Sequence, residues 1–84
     1  MKEIKPGIYK HFKGMLYKVH FVVRHSESLE YLVVYEALYD NPNGKYWVRP
    51  YEMFIGDKIF EDGTKVKRFE YLGKTLEDVE KTDQ

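Results

Sequence analysis

The sequence predicts an all-β fold: a small, strongly bent barrel of five or six strands with one short helical turn near Pro50 to Phe54. Three observations carry this. Eight Tyr, five Phe and one Trp among 84 residues, with Val and Ile in short runs, are the residue types that fit a pleated, half-buried surface. Turn residues recur at short intervals, as short strands require. A chain this short cannot build a two-sheet sandwich of ordinary size, whereas a bent barrel removes exposed strand edges.

Taken in order, Pro6-Gly7 opens a first strand, Ile8 to Phe12, and Lys13-Gly14 separates it from a second, Met15 to His25, as a tight hairpin loop does. That loop sets Phe12 opposite Met15 and Ile8 opposite Val19. One face then collects Ile8, Phe12, Met15, Tyr17, Val19, Phe21 and Val23 as the core side. The other face holds Tyr9, His11, Leu16, Lys18, His20, Val22 and Arg24, with Lys10 as a misfit on the apolar side. The polar connection Ser26 to Glu30 leads to a third strand, Tyr31 to Leu38. Asp40-Asn41-Pro42-Asn43-Gly44 is the densest turn signal, and Tyr46 to Arg49 follows as a fourth strand stopped by Pro50. Proline is tolerated at a first helical position, so Pro50 to Phe54 suits one helical turn. A last hairpin runs Ile55 to Phe60, turns through Glu61-Asp62-Gly63-Thr64 and returns over Val66 to Leu72.

This order of elements is that of an SH3-like barrel, by analogy. Residues 1–73 make one barrel domain, and 74–84 a polar tail, either frayed or a short helix capped by Thr75 with Asp78 three residues on. Ala37-Leu38-Tyr39-Asp40 imitates the opening of signalling SH3 domains, but Asn41 replaces the second Tyr and the segment sits mid-chain. It lends no support to proline-rich peptide binding.

Fourteen Lys plus Arg balance fourteen Asp plus Glu, so no global field draws the chain to polyanions or anionic lipid. The absence of cysteine removes disulfides, thiolate catalysis and zinc-thiolate or iron-sulfur sites, and fits a reducing cytoplasm. Apolar runs of only a few residues give no membrane span, and the start lacks a secretion signal. Charge is nevertheless uneven: the first 25 residues hold Lys2, Lys5, Lys10, Lys13, Lys18 and Arg24 against Glu3, together with all three histidines.

Three constellations have chemical content. The face carrying Tyr9, His11, Lys18 and His20 pairs aromatic rings with cations, as stacking on a nucleotide or single-stranded nucleic acid requires; a half-exposed hairpin face uses the same residues with nothing bound. His11 and His20 start about 13 Å apart along their strands, too far for a shared metal, and no cofactor is expected. Arg24-His25-Ser26-Glu27 places a base, a hydroxyl and a carboxylate in one turn, although no nucleophile elbow surrounds Ser26; in the plain alternative Ser26 bonds its own backbone and Glu27 is solvated. Trp47 and Arg49 alternate onto one face, either as a contact patch or as a core lid with Arg49 paired to Glu36 or Glu52.

The succession Lys5-Pro6-Gly7-Ile8-Tyr9-Lys10-His11-Phe12-Lys13-Gly14, Tyr17, Arg24-His25-Ser26-Glu27, Leu32-Val33-Val34-Tyr35, Leu38-Tyr39, Trp47-Val48-Arg49-Pro50, Met53-Phe54 and Arg68-Phe69 resembles a bacterial family of small proteins, domain of unknown function 1653. The resemblance spans about residues 5 to 72, with Ser28 where the family usually shows Thr. It implies a cytosolic, stand-alone bacterial domain and implies no reaction. It singles out Tyr9, His11, Lys13, Arg24, His25, Ser26, Glu27, Trp47, Arg49 and Arg68 as the matched residues least easily explained by a core.

These residues support a non-catalytic binding module for a phosphate-bearing ligand, a nucleotide or single-stranded nucleic acid. A protein-interaction or self-association module anchored on Trp47, Arg49, Tyr51 and surface Tyr is the alternative. An enzyme site at Arg24 to Glu27, with His25 as acid or base, Glu27 orienting it and Arg24 or Arg49 holding an anion, ranks last, because so small a barrel has little room for a water-excluding pocket.

Overall fold

The computed structural model describes residues 3–82, and side chains through residue 79. It is all-β in class, with seven strands in two antiparallel sheets. β1 (Gly7–His11), β2 (Leu16–Arg24), β3 (Tyr31–Ala37) and β4 (Tyr46–Pro50) form a meander. α1 (Tyr51–Ile55) follows, then β5 (Asp57–Ile59), β6 (Lys65–Lys67), β7 (Phe69–Gly73) and α2 (Leu76–Thr82). The large sheet runs β4-β3-β2-β1-β7, and β5 pairs with β6 in the small one. Among the described residues no ladder joins the edge strands β4 and β7.

The first hairpin departs from the expected register by one residue. Gly14 N–H donates to His11 O at 2.7 Å and His11 N–H to Met15 O at 2.9 Å, which makes the loop three residues, Phe12-Lys13-Gly14, with Gly14 at φ +103°. Tyr9 therefore faces Tyr17, and Lys10 faces Leu16. A one-residue slip reverses every side chain relative to the partner strand. Tyr9 and His11 turn inward beside Tyr17 and Val19, while Lys10 turns outward and ceases to be a misfit. The same three-residue loop closes the last hairpin, where Phe60 and Thr64 flank Glu61-Asp62-Gly63.

A second correction lies in β2. The pairing with β3 shifts between Val19 and Phe21, a bulge that inserts one residue and reverses the alternation beyond it. Phe21, expected in the core, is 61% exposed, and Val22 packs against the core instead. The single strand expected from Val66 to Leu72 is broken at Arg68 into β6 and β7.

The core is largely aromatic. Phe54 and Phe69 stack at 4.2 Å with planes 9° apart, and Tyr9, Tyr17 and Tyr35 meet that stack edge-on or tilted. α1 starts after Pro50 and presents Tyr51 and Phe54, three apart on one face, to this core. Ile8 is buried on the opposite side of the sheet, in a pocket shared with Leu38, Thr75 and Leu76. Thr75 Oγ1 accepts Asp78 N–H at 3.2 Å at the start of α2. Of the polar tail, residues 83 and 84 lie outside the described residues.

Candidate anion-binding site

The inward residues of β4 stand opposite those of β3: Trp47 against Tyr35 and Arg49 against Val33. Arg49 therefore reaches over the aromatic core, not toward Glu36 or Glu52. Its guanidinium carbon lies 5.5 Å from the Phe69 ring centroid, and its Nε donates to the Tyr35 hydroxyl at 3.3 Å. That leaves the two amino ends of the fork without an acceptor among the described residues.

Arg68 occupies the break between β6 and β7. Its backbone N–H donates to Gly56 O at 3.1 Å, and its carbonyl accepts Phe12 N–H at 3.0 Å, so the residues that follow β1 and precede β5 hold it in place. Its side-chain Nε is buried with no hydrogen-bond partner among the described residues. A buried donor left unpaired costs about 1–3 kcal/mol, and more when it carries charge.

His11 is 8% exposed and packs edge-on against Phe69. Its Nδ1 accepts Lys13 N–H at 3.2 Å, so the neutral ring carries its hydrogen on Nε2 and acts there as a donor. Burial first, then the charges of Arg49, Lys13 and Arg68, hold its pKa below 6.5. His11 and Arg49 both pack on Phe69, Lys13 follows two residues along the loop, and Arg68 directly precedes Phe69 in the chain. Both ion pairs among the described residues belong to Glu36, with His20 at 2.8 Å and Lys45 at 3.3 Å, so neither involves these cations.

Tyr17 and Tyr39 share a hydrogen bond of 2.7 Å between their hydroxyls, and Asn41 Nδ2 donates to Tyr39 at 3.0 Å. Burial and the bond to Tyr39 keep the Tyr17 phenol protonated well above its usual range, against the pull of Arg49. The resulting constellation is rich in donors: a guanidinium fork, a second arginine, a neutral imidazole N–H and an ammonium on the adjoining loop. Chemically it offers hydrogen bonds and positive charge to an oxyanion.

The other predicted residues are dispersed. Tyr9 lies in the core, its hydroxyl donating to Lys5 O at 2.8 Å and its pKa pushed up to about 12 chiefly by burial. Lys18 and His20 remain on the outer face, so the expected stacking surface of Tyr9, His11, Lys18 and His20 is divided between two sides of the sheet by the register. Arg24 packs on Tyr31 and donates to its hydroxyl. His25 Nδ1 accepts the N–H groups of Glu27 and Ser28, and Ser28, not Ser26, bonds the turn backbone at Glu30. Ser26 and Glu27 are exposed. The turn engages the His25 ring locally, while Arg49 engages Tyr35 and Phe69. Trp47 is half-buried, donating to Gly44 O at 3.1 Å. Sequence reasoning placed Tyr17 in the core and left Tyr35, Tyr39 and Phe69 out of the site. The available signal was that inward tyrosines bring hydroxyls that need partners.

The sign of the pH dependence follows from His11. A histidine held below its unfolded pKa contributes stability that is complete above 6.5 and is lost as pH falls toward the folded value. Glu36, depressed chiefly by its bond to His20, contributes stability lost only on acidification below 4.5. Urea midpoints measured across pH should therefore begin to decline near 6.5 in the parent protein, and His11→Gln should flatten that upper limb while sparing the lower one. An unchanged limb in the variant would show that His11 is not the group.

The fold defines a small all-β domain with two antiparallel sheets and an aromatic core. The family described as protein of unknown function (DUF1653) matches residues 7–71, and the chain belongs to it. The crystal structure of a protein of that family from Bordetella bronchiseptica is similar at 30% identity and a TM-score of 0.78, covering 88% of this chain and 94% of the other. No curated protein matches the chain significantly. Among the described residues, no helix is long and apolar enough to cross a membrane, and no three His, Asp or Glu side chains gather as metal ligands would.

Proposed function

We propose that this chain is a non-catalytic binding module for a phosphate-bearing ligand, a nucleotide or single-stranded nucleic acid. The observation that carries the reading is the Arg49 guanidinium held over Phe69, the ring against which His11 also packs, while neither ion pair among the described residues involves Arg49, Arg68 or Lys13. An incoming oxyanion supplies the missing acceptor for the fork of Arg49. Zero net charge keeps non-specific polyanion affinity low, so recognition rests on this local cluster. Amide and arginine side-chain NMR shifts followed during titration with inorganic phosphate, nucleotides and short oligonucleotides should move at His11, Arg49 and Arg68. Arg49→Ala should weaken binding roughly tenfold or more. Silence at these positions at millimolar ligand sinks the reading.

A second reading, self-association or binding of a protein partner, is favoured by the outer face. Tyr51 is buried, and Trp47 is half-buried with its Nε1 donating to Gly44 O. Phe21, Val34 and Val48 instead form an outward row across β2, β3 and β4, with Phe21 and Val48 strongly exposed. Light scattering over a hundredfold dilution tests it: a constant monomer mass removes self-association.

A further inference from the structure

We infer that the groove beside His11 is a base-stacking subsite, so that the ligand of the cationic cluster is a nucleoside carrying a terminal phosphate. This deepens the anion-binding reading and rests on it. The groove, about 660 Å³ and open to solvent, is lined by Phe12 and by Phe60 and Val66 of the β5–β6 hairpin. His11 and Lys67, the residue before Arg68, line it as well, so His11 is common to the groove and the cluster. Phe12 and Phe60 meet edge to face at 6.0 Å, and Phe60 is 40% exposed, which leaves aromatic surface for a planar ring. Lys10 and Glu70, cross-strand partners on β1 and β7, also line the groove. The carboxylate there accepts from ribose hydroxyls or an exocyclic amine.

The charge distribution selects a chain end over an internal strand. A polymer needs a continuous basic track, whereas here Glu70 interrupts the groove between Lys10 and Lys67. A phosphate monoester brings close to two negative charges and three free oxygens; a diester brings one charge and two. Three cations and an imidazole N–H match the monoester better.

The test uses the full chain with adenosine 5′-monophosphate, 3′,5′-cyclic AMP, inorganic phosphate and a capped oligonucleotide, by calorimetry and NMR. The monophosphate is expected to bind at least tenfold tighter than phosphate or the cyclic diester. Phe60→Ala, at an exposed hairpin position, should erase the advantage over phosphate and leave phosphate binding intact; its NMR spectrum verifies folding, and Phe60→Tyr, which keeps the ring, should retain the advantage. Phosphate binding with no gain from the nucleoside, or a gain that Phe60→Ala does not touch, overturns the subsite while the anion site stands. Tighter binding of the capped oligonucleotide overturns the preference for a chain end. No response at His11, Arg49 or Arg68 to any probe removes the anion site and the subsite with it.

Discussion

Phe69→Ala is expected to remove about 3–5 kcal/mol of stability, a large part of what a domain of this size has, since small domains sit at the low end of roughly 5–15 kcal/mol. The ring is 6% exposed and serves several neighbours at once. It stacks on Phe54, receives the edges of His11, Tyr17 and Tyr35 and carries Arg49 over its face. Truncation leaves a cavity bordered by polar-tipped rings that cannot collapse without breaking the Tyr35–Arg49 and Tyr17–Tyr39 bonds. Phe69→Leu retains most of the volume and removes the π-face, so it should cost less stability yet still loosen Arg49. Urea denaturation measures both; a loss below about 1 kcal/mol for the alanine variant contradicts the central place of this ring.

Gly7→Ala has the second largest expected effect. Gly7 lies at φ +142°, and a Cβ built there would stand 2.5 Å from Gly73 O and 3.2 Å from Lys74 Cα. Backbone strain contributes about 1–3 kcal/mol, and the collision adds to it because the nearest obstacle is a carbonyl and not a flexible side chain. The β1–β7 pairing should open, seen as faster amide exchange along β7. Gly14→Ala supplies the control: its φ is also positive, but nothing lies within 4 Å of the new Cβ, so it should cost clearly less. Equal losses in the two variants would refute the collision.

Strand composition and turn chemistry were legible from the residues because they are local. Gly14 and Gly63 end their loops where a positive φ is needed, and Pro50 precedes the helical turn it permits. The inward face was less legible. Alternation in β1 was read correctly as a period of two, but the loop length sets its phase, and a three-residue loop moved Tyr9 and His11 from the outer side to the core side. The bulge between Val19 and Phe21 had no sequence marker comparable to a glycine, and it carried Phe21 to the surface. Arg49 and Trp47 were placed on a common face, as found, because no bulge interrupts β4.

The residues of the candidate site were within reach of the sequence, and their partnership was not. His11, Lys13, Arg49 and Arg68 are matched residues that a core does not readily explain, and together they were separable from the rest only by their polarity. They sit far apart along the chain, so no spacing rule connects them. Local chemistry settled the β class, the meander and the places where the chain turns, since each depends on residues within a few positions of one another. Which face His11 occupies, which cations bear on it and which arginine nitrogen lacks an acceptor depend on register and on the backbone bonds at Arg68. Those are long-range outcomes of packing, set by the balance of aromatic burial across the whole core, and no short segment contains them.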